Sequence, residues 1–214
     1  MLANDSVSAC FFHNMKTAGH SIYTQLADIP ELIQRKPDKI DRWYIVLGMH
    51  GRYTDLYNLD LDLYNKIKSY YKFCFIRNPF SHAVSLYYHI LDNHRWYKEK
   101  HVSIDDKHVN EQDFKDFNNY LKNIYTCQTV NTLCDPYFIN DEWYRFETLQ
   151  DSWDTLCDQL GYKRIKLPYV NRTKDTNIFG LKYPSDYREM YDQKGKEILY
   201  DRCRIIFDKF EYEF

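Results

Sequence analysis

Short apolar runs that alternate with longer stretches of helical period constrain this chain more than any other feature. The clearest passage reads KFCFIRNPFSHAVSLYYH, in which a compact apolar run ends at Arg77, a proline turns the chain, and apolar residues resume at helical spacing. A run of that kind reads as a strand buried on both faces, and strands of that kind belong to parallel sheets whose crossovers are helices. The same alternation predicts strands at Ala9–His13, Trp43–Leu47, Tyr71–Ile76 and Trp143–Phe146. It predicts helices at Gly19–Ala27, Leu61–Ser69, Ser81–Leu91, Phe114–Tyr125 and Leu149–Leu160, and a long one from Ser185 to about Phe207, broken near Gly195 because glycine is a poor interior residue. Residues 92–113 are polar, charged and without clear period, and read as a solvated connection or a substrate-facing loop. The expected fold is α/β, with a central, mainly parallel sheet flanked by helices. A length of 214 residues suits one domain over 1–214 better than two.

Charge removes some classes of partner. Lys plus Arg total 29 against 31 for Asp plus Glu, so no global field draws a nucleic acid or an anionic membrane, and any anion site is local. The 6 cysteines lack a C-x-x-C pair and several lie in apolar runs, which fits a reducing compartment, with a Cys127–Cys134 bridge left open. The 8 histidines show no ligand spacing, so no metal is expected. No stretch reaches the roughly 18 apolar residues of a membrane span, and the start lacks a basic-then-apolar leader. The 21 tyrosines suggest half-buried packing or, less simply, a surface on which a sugar stacks.

Two passages carry chemistry. In CFFHNMKTAGHS a strand gives way to a tight turn and a helix start, where unpaired backbone N–H groups and the positive end of the helix dipole meet. Such a point binds anions. Lys16 adds a charge, Thr17 and Ser21 add hydroxyls, and Gly19 lets the backbone come close to a ligand, while Ala18 and His20 complete the loop. Lysine precedes the glycine, so this is not the G-x-x-x-x-G-K-[ST] loop of nucleotide triphosphatases. The second passage repeats the plan with Arg77 at the strand end and Ser85 in the following helix, both placed to reach another phosphate. Each passage alone also has a plainer account, a helix start in the first and a surface ion pair beside a packing serine in the second. Together they lie where open α/β sheets bind ligands, and suggest a nucleotide with phosphate at both ends.

FFHNMKTAGHSI resembles the 5′-phosphosulfate loop of the sulfotransferases, whose glycan-modifying branch commonly reads P-K-T-A-G-T-S. RNPFSHAVSLY resembles their 3′-phosphate motif, R-x-P-x-x-R-x-x-S, with Arg77 and Ser85 in register. WYRFETLQDSWDTLCDQLG, LPYVNRT and DRCRIIFDKFEYEF are similar to later segments of the family, so the likeness runs from about Cys10 to Phe214. Met15 stands where proline is usual, His20 where a hydroxyl residue is usual, and His82 where a second arginine is common.

The resemblance implies a P-loop-like domain that moves a sulfuryl group from 3′-phosphoadenosine 5′-phosphosulfate (PAPS) to an acceptor hydroxyl, of a saccharide or small metabolite, without a metal. Lys16 is then the catalytic residue at the leaving phosphate, with the amides of residues 17–21 beside it, and Arg77 and Ser85 hold the 3′-phosphate. His50, after the second strand, matches a histidine of the glycan branch and suits a general base, with an ordinary pKa of about 6.5. Glu147 is a second candidate base that also suits pairing with Arg145 or capping the following helix, and Arg172 with Lys174 is placed to close over the donor phosphates. The competing readings are an ATP-dependent kinase and a nucleotide-binding module that has lost catalysis. The expected setting is cytoplasmic, in a bacterium or virus, with a trimmed Golgi-type enzyme as the alternative.

Overall fold

The computed structural model describes residues 1–28, 44–46, 53–99, 116–123, 125, 141–168, 177–178 and 181–214. These fall into two compact units, Met1–Arg77 with Gln128–Val170, and Asn78–Cys127 with Asn171–Phe214.

The first unit is built on a five-stranded sheet. In chain order its elements are β1 (Leu2–Asn4), β2 (Ala9–Phe12), α1 (Gly19–Asp28), β3 (Tyr44–Ile45), α2 (Tyr53–Leu59), α3 (Leu61–Ile67), β4 (Tyr71–Ile76), β5 (Glu142–Arg145) and α6 (Leu149–Leu160), with α4 and α5 assigned to the second unit below. The strands lie in the order β3-β1-β2-β4-β5. β2 pairs parallel with β4, and β4 parallel with β5, while β1 runs antiparallel to both of its neighbours. Four strands therefore share one direction, as a mainly parallel sheet requires. β1, the reversed strand, was not foreseen, because MLANDS is too short and too polar at its end to show a period.

Side chains alternate across a strand, so each strand feeds two cores. Ala9, Phe11, Phe73, Phe75 and Tyr144 face one way and pack with Ile22 and Leu26 of α1 and with Trp153, Leu156, Cys157 and Leu160 of α6. Cys10, Phe12 and Cys74 face the other way and meet Leu56 of α2 and Tyr64 and Ile67 of α3. That double burial explains why β4 reads as an unbroken apolar run and why its limits, Tyr71–Ile76, match the expectation. Lys72 is the exception in it. Its ammonium donates to the Tyr70 carbonyl at 2.8 Å and lies 3.9 Å from Asp141, which keeps a buried charge partnered.

The second unit is helical and aromatic. It comprises α4 (Pro79–Glu99), α5 (Phe117–Asn123), the hairpin of β6 (Asn177–Ile178) and β7 (Leu181–Lys182), a 3₁₀ turn at Tyr187–Met190, and α7 (Gln193–Phe210). Phe80 meets Tyr191, Tyr200, Phe207 and Phe214 at ring separations of 4.8–5.3 Å. Tyr87 meets Phe117 and Tyr120 in the same range. Tyr191 donates to the Phe80 carbonyl and Tyr88 to the Lys182 carbonyl, so phenol hydroxyls inside this core find partners. These tyrosines pack the unit, as the simpler reading of their number held.

Two expectations need correction here. α4 runs on to Glu99, so the first part of the polar stretch after Leu91 is helix. The C-terminal helix is not broken at Gly195: Asp192 caps α7 by accepting the Gly195 N–H at 2.7 Å, and the kink lies at Cys203. Gly195 is there because Asn118 Oδ1 sits 2.6 Å from where a Cβ would stand. The interruption before α7 comes at Tyr191 and Asp192, between the 3₁₀ turn and the cap.

Candidate active site

β2 and β4 are parallel neighbours, in register from Ala9 and Tyr71 to Phe12 and Cys74, so the segments after them leave the same end of the sheet. The loop after β2 is anchored in three ways. Asn14, 2% exposed, donates through Nδ2 to the Phe75 carbonyl at 2.9 Å. Thr17 turns its hydroxyl back onto the Asn14 carbonyl at 2.8 Å. Arg77 Nη1 donates to the Lys16 carbonyl at 3.2 Å.

Between these anchors the backbone takes a conformation that side-chain-bearing residues rarely adopt. Lys16 and Ala18 both have positive φ, 56° and 61°, at a cost of roughly 1–2 kcal/mol each. Left-handed residues interleaved with ordinary ones turn successive N–H groups toward one side, the geometry of an anion-binding nest. The chain then enters α1, whose first turn presents N–H groups that have no intrahelical partner. The Ile22 N–H closes the first helical bond onto the Ala18 carbonyl.

Gly19 behaves differently from the expectation. A Cβ there would stand 1.7 Å from the His13 ring, so the close approach that needs glycine is to His13, which itself stacks on Phe11. Thr17 departs as well, because its one hydroxyl proton is given to Asn14. Ser21 is buried at 4% exposure and His20 is exposed, both in the first turn of α1.

Arg77, one residue past β4, is half-buried with its guanidinium carbon 4.3 Å from the centre of the Phe146 ring. Phe146 is placed by its own N–H, which continues the β4–β5 ladder by donating to the Ile76 carbonyl at 2.8 Å. The structure thus brings Lys16 and Arg77 together.

The motif's other members lie on α4. Asn78 caps that helix, its Oδ1 accepting from Phe80 N–H at 2.9 Å, with Pro79 at the first helical position where a missing N–H costs nothing. Ser85 is 3% exposed. His82 is 2% exposed and its Nδ1 meets the Tyr125 hydroxyl at 3.0 Å, so that nitrogen is committed to the core. Glu147 is exposed. His50, Arg172 and Lys174 lie outside the described residues.

Sequence reasoning missed Asn14, Asn78 and Phe146. An Asn before a Pro at a helix start was a readable capping signal for Asn78. Nothing in the sequence marks Phe146, whose role rests on a neighbour across the sheet. Among the described residues no group of His, Cys, Asp and Glu is arranged to hold a metal, and no helix is long and apolar enough to cross a membrane. Cys10, Cys74, Cys157 and Cys203 are buried free thiols, and burial pushes Cys10 and Cys157 up to about 12, far from a reactive thiolate.

A mainly parallel sheet, with a left-handed turn after β2 and an arginine held at the end of β4, defines an α/β protein of P-loop-like plan. The particular kind follows from comparison: the model of the sulfotransferase family matches residues 16–214, and the chain belongs to that family. Its members are PAPS-dependent enzymes, so this chain is a sulfotransferase. No curated protein and no solved structure matches it.

Proposed function

We propose that the chain takes its sulfuryl group from PAPS and passes it to an acceptor hydroxyl, with a saccharide as the leading acceptor and a small metabolite next. The observation that carries the donor assignment is the Arg77–Lys16 contact, which sets a guanidinium and an ammonium-bearing loop at the ends of two adjacent parallel strands. A donor with phosphate at each end needs two cationic groups so placed.

Sulfuryl transfer, like phosphoryl transfer, asks the protein for in-line positioning and for stabilisation of charge on the leaving oxygen. Lys16 supplies the charge, and the first-turn amides of α1, with Ala18, Gly19, His20 and Ser21, supply oriented donors that need no rearrangement during reaction. Thr17 holds the loop through Asn14. Arg77 takes the 3′-phosphate, and Ser85 joins it by the motif's spacing. His50 is the base that accepts the acceptor's proton, and Arg172 closes on the donor. The family match runs through residues of both compact units, which supports one functional domain over 1–214. Buried free thiols support a reducing, cytoplasmic setting.

Calorimetric titration with 3′-phosphoadenosine 5′-phosphate, beside ADP and ATP with magnesium, tests the donor. Preference for the 3′-phosphorylated ligand is expected; equal or tighter binding of ATP with magnesium overturns the assignment in favour of a kinase. A screen of saccharide acceptors, with His50→Ala as the control, then tests the acceptor and the base.

A further inference from the structure

We infer that Phe146 is a positioning residue that sets the donor selectivity of this enzyme by holding Arg77. This rests on the assignment of the donor and 3′-phosphate above. Arg77 leaves the end of β4 as a long side chain with several rotatable bonds, and an unsupported arginine there would sample many directions. Two contacts among the described residues hold it. The Phe146 ring receives the face of the guanidinium at 4.3 Å, and the Lys16 carbonyl receives Nη1 at 3.2 Å. The two are compatible because stacking uses the face of a planar cation and hydrogen bonding uses its edge.

Phe146 can do this because it is itself fixed. Its N–H is bonded to Ile76, the residue just before Arg77, so ring and guanidinium start from adjacent backbone positions on paired strands. The carbonyl that accepts from Arg77 belongs to a residue with a left-handed φ of 56°. A charge-assisted bond to that carbonyl opposes the loop's tendency to relax. An arginine so held meets a 3′-phosphate with its edge already oriented, and the ordering cost that would weaken recognition is met before binding.

The test compares binding of 3′-phosphoadenosine 5′-phosphate with that of AMP, which lacks only the 3′-phosphate, in wild type, Phe146→Leu, Phe146→Tyr, Arg77→Ala and the Phe146→Leu/Arg77→Ala double variant. Thermal unfolding of each reports folding. Phe146→Leu is expected to lower the preference for the 3′-phosphorylated ligand about fivefold, the size of one cation–π contact, while AMP binding stays unchanged. Phe146→Tyr restores the preference, and in the Arg77→Ala background Phe146→Leu has no further effect. An unchanged preference in Phe146→Leu, equal losses for both ligands, or additive losses in the double variant each overturn the inference while leaving the donor assignment standing. A wild type that binds AMP as well as the 3′-phosphorylated ligand overturns the donor assignment and this inference with it.

Discussion

Two turns follow parallel neighbours in the sheet, and they start their helices by opposite means. After β2 the chain uses strained backbone: left-handed Lys16 and Ala18, a glycine pressed under His13, and three anchors from Asn14, Thr17 and Arg77. After β4 it uses ordinary helix-start chemistry, with Asn78 as cap and Pro79 at the first position. Strain persists only where surrounding contacts over-determine it, and it gathers where a protein must present its backbone to a ligand. On the proposed reading the first turn offers its own N–H groups, while the second offers a side chain, Arg77, and needs no unusual dihedral.

If that contrast holds, the first turn is the more sensitive of the two. Lys16→Ala should lower kcat about 10²- to 10³-fold, as loss of a charge-stabilising group at a reacting oxygen does, with thermal stability near wild type; a loss of only a few-fold in a steady-state transfer assay places the leaving-group charge elsewhere. Gly19→Ala forces the His13 ring aside and should destabilise the fold by about 1–3 kcal/mol, the usual range for overpacking. Urea unfolding checks this, and a neutral Gly19→Ala means that the loop yields more easily than its anchors imply. Asn78→Ala removes the α4 cap and should cost about 1 kcal/mol with a smaller effect on transfer than Gly19→Ala. A larger effect on activity than at Gly19 reverses the ranking of the two turns.

The smallest expected effect lies at the start of α7 and serves as a control outside both turns. The Gly195 N–H, then Asn118, hold the Asp192 carboxyl below its ordinary value of 3.8. A group whose folded pKa is depressed stabilises the fold above its unfolded pKa and loses that contribution as pH falls through the folded value. Asp192→Asn should thus lower the urea midpoint at pH 7, and the gap to wild type should narrow as pH falls below the ordinary value of 3.8 toward the lower folded value. A gap that does not narrow at all as pH falls below the carboxyl's ordinary value assigns the effect to something other than its charge.

How far the sequence was legible follows from which forces act locally. Tyr71–Ile76 and Leu149–Leu160 were read to the residue, since a doubly buried strand and an amphipathic helix closed by Gly161 write their limits into consecutive positions. That Lys16 and Arg77 stand at the ends of neighbouring strands was legible because each follows an apolar run and precedes a helix start. The reading of Gly19 as room for a ligand missed His13, because a ring folding back from the preceding strand leaves no local mark. The break assigned to Gly195 followed helix propensity, which Asp192 and Asn118 override.

By itself the sequence determined an α/β chain with a mainly parallel sheet, two helix-starting turns in the order of the sulfotransferase motifs, and a cation, Lys16 or Arg77, in each. Periodicity and motif spacing suffice for this, since both are properties of neighbours along the chain. Only the tertiary structure decided that Arg77 is stacked on Phe146 and tied to Lys16, that Thr17 spends its proton on Asn14, and that His82 turns Nδ1 toward Tyr125. Those contacts join residues separated by 3 to 69 positions. Apart from the local Thr17 contact, which distant partner a polar side chain meets is set by strand pairing and helix packing, and no local pattern encodes it.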